Sequence, residues 1–169
     1  MGMLDGKVAI VTGSDSGIGQ ATAKAFACEG ADVMICYLSD RRGAETTQHE
    51  VEKSGHRAAV VQVDLRDPAQ VAHLFEETES TLGTPYILVN NVGIDSTGKQ
   101  VADMPPEEWD NEIRTNLYGP FYCSQQFIRN RRKAGGKGKL INISSVHEDI
   151  PRVGSAGYAR YSCTTWWKT

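Results

Sequence analysis

Ser145 and Tyr158 stand thirteen residues apart, a hydroxyl and a phenol whose chemistry is complementary. A serine hydroxyl can hold a substrate oxygen while a tyrosinate takes its proton. Upstream lies Thr12-Gly13-Ser14-Asp15-Ser16-Gly17-Ile18-Gly19, whose glycines let a backbone turn tightly and approach a ligand without a Cβ. If a helix opens at that loop, its unpaired N–H groups and positive dipole end suit a pyrophosphate. Each feature has a plainer reading: Ser144-Ser145 as a helix cap, Tyr158 as a rim aromatic, the loop as a ligand-free turn. They gain meaning only from the elements that position them.

Those elements alternate from the start. Lys7 to Thr12 is a short β-branched run, the mark of a strand buried on both faces. Gln20 to Glu29 carries apolar residues at helical spacing and stops at Gly30. Asp32 to Tyr37 reads as a second strand, Arg42 to Ser54 as a helix, and Ala58 to Val63 as a third strand. Pro68 begins a helix that ends at Gly83. Tyr86 to Val89 reads as a fourth strand. One long helix is expected from about Glu107 toward Lys133, kinked at Gly119-Pro120. Leu140 to Ile143 reads as a fifth strand, and a further helix could start near Tyr158.

This rhythm predicts parallel β-α-β units with right-handed crossovers, a Rossmann-type doubly wound α/β sheet of strand order 3-2-1-4-5. Ligands of such sheets sit at the carboxyl ends of the strands. The candidates fall there. Asp64-Leu65 ends the third strand, where a carboxylate could accept from an adenine amino group or merely begin a turn. Asn90-Asn91-Val92-Gly93 ends the fourth, where Asn91 and Gly93 could brace loop and cofactor or simply make the turn.

The bulk numbers narrow the class. A chain of 169 residues with 40% hydrophobic and 23% charged content supports one globular domain. Net charge is −3, and the only basic run, Arg129 to Lys133, reads as a solvated helix end, which argues against nucleic acid. No run of eighteen apolar residues suggests a membrane span, and Met1 to Lys7 lacks the pattern of a signal peptide. Cys28, Cys36, Cys123 and Cys163 form no metal-ligand spacing, and the four histidines are scattered, so no metal is expected and a reducing cytoplasm is.

Taken jointly over residues 4 to 158, these motifs, with Asn116 in Thr-Asn-Leu-Tyr-Gly, resemble the short-chain dehydrogenase/reductase family. The run Ser145-Val146-His147-Glu148 looks like its glucose 1-dehydrogenase branch. The resemblance implies an oxidoreductase passing hydride between a nicotinamide and a small-molecule carbonyl or alcohol. Ser145 would orient that group, Tyr158 would be the general acid/base, and Asn116 would hold a proton-relay water. Thr12, Gly13, Ser16, Gly17, Ile18, Gly19, Asp64, Leu65, Asn91 and Gly93 would contact the cofactor. The resemblance also implies a homo-oligomer in intact relatives.

Three departures from the family pattern follow. Val92 replaces the usual alanine and could crowd the cofactor. Position 162 is Ser, where the family has a lysine four residues after the tyrosine. Tyrosine titrates near pH ~10, and closing a gap of roughly 3 units takes about 4 kcal/mol. Much of that would ordinarily come from the lysine and the cofactor, so turnover is expected to fall by several orders of magnitude. The chain is also expected to be a C-terminally truncated, incomplete domain spanning 1–169. Residues 159–169 match nothing expected after the tyrosine, and a shifted reading frame accounts for them best. Two further readings stay open, a non-catalytic nucleotide-binding module and an unstable fragment.

Between cofactors the balance favours NADP over NAD. An acid at the end of the second strand would bind a ribose 2′-hydroxyl. Tyr37 occupies that place, and Arg41 and Arg42 are near enough to meet a 2′-phosphate.

Overall fold

The computed structural model describes residues 2–94 and 101–145. The elements run β1 (Val8–Val11), α1 (Gly17–Cys28), β2 (Asp32–Tyr37), α2 (Arg41–Lys53), β3 (Ala58–Gln62), α3 (Pro68–Thr81), β4 (Ile87–Asn90), α4 (Pro106–Ile113), α5 (Gly119–Lys133) and β5 (Lys139–Asn142). A 3₁₀ turn, Val101–Asp103, precedes α4. All strand pairs are parallel, in the order β3-β2-β1-β4-β5. The chain therefore has the expected doubly wound α/β architecture.

Strand alternation builds two cores. Val8 and Ile10 of β1, Met34 and Cys36 of β2 and Leu88 of β4 pack with Val71, Leu74 and Phe75 of α3 and Cys123 and Phe127 of α5. Their neighbours Ala9, Val11, Val33, Ile35, Ile87 and Val89 turn to the other face, against Ala23 and Ala27 of α1 and Ala44 and Val51 of α2. Side chains of successive strand residues point to opposite faces, so a strand covered on both sides has no polar face to show. Completely burying one Leu or Ile is worth about 1.5–3 kcal/mol, so the β1, β2 and β4 residues anchor the sheet.

Helix starts follow their caps. Asp40 accepts from the Gly43 amide at 2.9 Å and Asp67 from the Ala69 amide at 2.8 Å, which fixes the first turns of α2 and α3. Pro68 then sits where its missing N–H costs nothing.

Two expectations need correcting. Helix α1 begins at Gly17, not Gln20, because extended Ser16 (φ −157°) is already its N-cap. The glycine loop thus runs directly into helical backbone. The single long helix is instead three pieces: α4, a π-helical turn over Arg114–Tyr118, and α5. The Gly119 amide reaches back to the Arg114 carbonyl, five residues earlier. Pro120 has no N–H to return to the Asn116 carbonyl at α-helical spacing, so the wider turn falls just before it.

Among the described residues strand β5 lies at the sheet edge, with its Leu140 and Ile141, and Ile143 just after it, at 37%, 40% and 37% exposure. The helix expected near Tyr158, and residues 159–169 with it, lie outside the described residues.

Candidate functional site

Two adjoining cavities open at the carboxyl ends of the strands. The first, about 470 Å³, is lined by Thr12, Gly13, Ser16, Gly17 and Ile18 of the glycine loop, Tyr37 after β2, Asp64, Leu65 and Arg66 after β3, and Asn91 to Ile94 after β4. The second, about 320 Å³, is lined by Asn116, Leu117 and Phe121 around the π-turn, Ser124 of α5, and Asn142 to Ser145 after β5. Ile18, Asn91, Val92 and Gly93 belong to both linings.

The loop's path is dictated by what it must pass. Gly13 has φ +60°, a conformation that side-chain-bearing residues rarely adopt, and a Cβ there would come within 2.9 Å of Val92 Cγ2. A Cβ on Gly19 would lie 2.1 Å from the Gly13 carbonyl oxygen. The loop therefore folds flat onto the start of α1, leaving that helix end open to the cavity. Ser16 caps α1 without a side-chain hydrogen bond, and no acid occupies the first turn. The amides at the start of a helix have no intrahelical acceptor. A flat loop, unpaired amides and no competing carboxylate in that turn fit a pyrophosphate.

Ser14 ties the loop to its neighbour: Oγ donates to the Val11 carbonyl at 2.7 Å and accepts from the Cys36 amide at 3.1 Å. Thr12 is wholly buried, so it braces the loop from beneath. Its Oγ1 donates to the Val89 carbonyl at 3.2 Å and accepts from the Asn91 amide at 2.9 Å. Asn91 Nδ2 donates to the Thr12 and Gly13 carbonyls at 2.9 and 3.1 Å. Asn90 Nδ2 reaches Ser124 Oγ at 3.2 Å and Asn142 Oδ1 at 2.9 Å, joining β4, α5 and β5 beneath the second cavity.

Asn116 sits in the π-turn and grips the turn after β4 at both of its polar atoms. Oδ1 accepts from the Ile94 amide at 2.9 Å, and Nδ2 donates to the Ile94 carbonyl at 2.9 Å. The side chain thereby fixes one wall between the cavities. Ser145 lines the second cavity with Asn116, so these two expected partners do share a space. Tyr158 and Ser162 lie outside the described residues.

At the other end, Leu65 is buried in the core and packs at 3.0 Å from where a Gly119 Cβ would be. Tyr37 touches the first cavity, but its ring belongs to the core against α1 and α2. The Asp64 carboxylate is held by Arg66, with Nε at 2.8 Å from Oδ1 and Nη2 at 2.6 Å from Oδ2. Those hydrogen bonds push the Asp64 pKa below the usual aspartate value and raise that of Arg66. Burial pushes the Cys36 thiol, at the rim of the first cavity, well up, and that of Cys123 up to about 12. Neither is a thiolate near neutral pH.

Arg41 is not brought to the cavity. Its Nε donates to Glu45 Oε1 at 2.8 Å along the exposed face of α2, and that partner raises its pKa. Beyond the residues the sequence points to, Arg66 and Asn111 also line the first cavity and Ser14 braces its loop. The Asp64-Leu65-Arg66 spacing was a signal for the first; nothing local in the sequence marked Asn111, whose place depends on how α4 packs.

Among the described residues no group of three or more His, Cys, Asp or Glu could hold a metal ion, and no helix is long and apolar enough to cross a membrane.

A short-chain type dehydrogenase/reductase of Picea abies is 40% identical over 90% of this chain and 59% of its own length. Glucose 1-dehydrogenase 2 of Bacillus subtilis is 35% identical over 92% of this chain and 60% of its own. An NADPH-dependent aldehyde reductase-like chloroplastic protein of Arabidopsis thaliana is 38% identical over 92% and 62%. The chain thus spans less than two thirds of the length of these curated relatives. A crystal structure of a short-chain type dehydrogenase/reductase from Mycobacterium marinum superposes with a TM-score of 0.90 at 29% identity, covering 95% of this chain and 66% of that one. The family model of the short chain dehydrogenase matches residues 7–164, and the chain belongs to that family.

Proposed function

We propose that this chain is the nucleotide-gripping part of an NAD(P)-dependent oxidoreductase acting on a small carbonyl or alcohol. One observation carries the reading. The open N-terminus of α1 and its glycine loop line a cavity between the carboxyl ends of β1 and β4, where the strand order reverses.

Gly13, Ser16, Gly17, Ile18 and Gly19 would hold the pyrophosphate through backbone amides and the Ser16 hydroxyl. Tyr37 would border the adenosine ribose, Asp64 and Leu65 the base, and Asn91 and Gly93 the nicotinamide ribose, with Thr12 bracing the loop. When bound, the nicotinamide supplies hydride exchange at its C4. Ser145 would hold the substrate oxygen by hydrogen bonding, and Tyr158 would take or give that oxygen's proton. Asn116, by fixing the turn at Ile94, would keep the proton path and the cofactor loop in register.

NADP is favoured over NAD. Arg41 would have to leave Glu45 to meet a 2′-phosphate, and both side chains of the pair are solvent-exposed, so water screens the interaction to be exchanged. Arg42 would support it.

Ser162 favours a second reading, nucleotide binding with little turnover, because no cation stands four residues after Tyr158 to lower its pKa. Titrating the purified chain with NADPH and NADH by calorimetry tests the grip. Steady-state turnover with sugar and aldehyde substrates tests the chemistry. Micromolar NADPH binding with turnover several orders of magnitude below that of typical enzymes is expected. Absence of binding by both dinucleotides would overturn the proposal.

A further inference from the structure

Positive charge is unevenly spread along this chain. Residues 113–147 contain seven Lys and Arg and no Asp or Glu, which leaves the other residues with 11 cations against 21 acids. Most of the surplus gathers at the amino ends of the strands, away from the two cavities at their carboxyl ends. Arg131, Arg132 and Lys133 end α5, Lys137 lies in the turn that follows, and Lys139 begins β5. Lys7, just before β1, joins them through Tyr86, just before β4. Its Nζ stands 4.8 Å from the centre of that ring, and the Arg131 guanidinium carbon 5.6 Å from it.

The backbone under these cations is fixed. The Gly136 amide returns to the Arg131 carbonyl at 2.6 Å and the Ala134 amide to that of Asn130 at 3.1 Å, which closes the end of α5. The Lys139 amide donates to the Tyr86 carbonyl at 2.9 Å, and Arg131 Nη1 to that of Pro85 at 3.3 Å. Residues 132–139 are all exposed. Among the described residues none of the six cations forms an ion pair, whereas Lys24, Arg41, Lys53, Arg57 and Arg66 each do. Acids flanking the starts of β1 and β2 are engaged otherwise: Asp32 holds Arg57, and Asp5 and Glu29 accept from the Gly2 and Met3 amides. Like charges collected without a counter-charge repel one another, and an arriving anion relieves that repulsion.

We propose that this cluster is a docking surface for an acidic, extended polypeptide segment. Its charge sets the sign of the partner, and its surroundings set the kind. A nucleic acid would run beyond the cluster over a chain in which acids outnumber cations, and Tyr86, the ring at its centre, already holds two cations instead of a base. An anionic membrane would meet Ala134, Gly135, Gly136 and Gly138 between the cations, and no large apolar side chain there to insert. A short acidic segment spans the cluster and no more, and the backbone it meets needs no ordering.

The test is fluorescence anisotropy of a labelled peptide of about ten glutamates against the full chain, at about 50 mM and about 300 mM salt. The peptide should bind at the lower salt and weaken at least about tenfold at the higher. The double variant Lys133→Glu/Lys137→Glu should weaken it by a similar factor with an unchanged melting temperature, because both positions are exposed. Lys133→Arg/Lys137→Arg, which keeps the charge, should bind as wild type does. NADPH should not compete. A peptide displaced by NADPH would be occupying the cradle at the start of α1, and that overturns the proposal. Absence of peptide binding at the lower salt, or wild-type affinity in the charge-reversed variant, overturns it as well. So does tighter binding of a thymidine oligonucleotide of the same length, or of phosphatidylserine vesicles, than of the peptide.

Discussion

Thr12 and Asn91 lock each other in place across the ends of β1 and β4. Thr12 Oγ1 accepts from the Asn91 amide at 2.9 Å and the Val92 amide at 3.2 Å. Asn91 Nδ2 returns to the Thr12 carbonyl at 2.9 Å. Removing the hydroxyl while keeping the shape, as in Thr12→Val, strips an acceptor from two amides in a partly buried turn. A buried polar group left unsatisfied costs about 1–3 kcal/mol. Urea denaturation should show that loss as a lower midpoint with an unchanged slope. A midpoint within error of wild type would mean water replaces the hydroxyl and the lock is not structural.

Gly19 is predicted to be the least replaceable position of the loop. A Cβ there would meet the Gly13 carbonyl carbon at 2.8 Å and Asn91 Nδ2 at 2.6 Å, so two rigid neighbours must move together. Gly19→Ala should lower NADPH affinity at least tenfold and reduce the melting temperature. Gly55→Ala is the control: its φ is +84°, yet no atom lies within 4 Å of the new Cβ. That change should cost about 1–2 kcal/mol of backbone strain and leave NADPH affinity unaltered. Equal effects on binding would show that the cradle does not contact the ligand.

The architecture was readable because β1, β2 and β4 are continuous apolar runs, the pattern only a doubly covered parallel strand needs. The glycine loop and the turn at Asn91 were readable for a similar reason: turns and strand ends restrict residue type locally, whereas Asn116 rested on the family resemblance alone. What escaped was decided at a distance. The π-turn depends on Pro120 withholding an N–H and on Asn116 being held by Ile94. That Arg41 pairs along α2 with Glu45, one helical turn on, instead of facing the cavity, follows from the helix that β2 leads into. Likewise, only the packing of α4 against the end of β3 shows how Arg66 is held between Asp64 and Asn111.

The Asp64–Arg66 pair predicts a specific acid sensitivity. Its hydrogen bonds depress the Asp64 pKa in the folded state. A depressed carboxyl pKa contributes stability that is present above the unfolded value and lost as pH falls through the folded one. Unfolded aspartate titrates near about 3.9, so the contribution should hold from neutral pH to about 5 and fade below about 4. Arg66 stays protonated throughout that window. The stability gap between wild type and Arg66→Ala, followed by urea midpoints, should be constant between pH 5 and 8 and shrink below pH 4. Because the pair is partly exposed, a gap of about 0.2–1 kcal/mol is the appropriate scale. A gap that widens on acidification would contradict the assignment.

Strand β5 gives the last prediction. Register places Ile141 beside Val89 and Leu140 beside Leu88, so both alternate faces of β5 are apolar, yet both side chains are more than a third exposed. An exposed apolar edge strand is a template for pairing with another chain. Ile141→Lys puts a charge on that edge at a position already in contact with solvent, whereas the Asn142 bond to Asn90 that tethers the strand is untouched. Light scattering during a temperature ramp should show aggregation beginning later and at higher protein concentration in Ile141→Lys than in wild type, with NADPH affinity unchanged. The same substitution at Val89, buried one strand inward, should abolish folding, because a lysine there has no route to water. If Ile141→Lys aggregates as readily as wild type, the β5 edge is not the surface on which this chain associates.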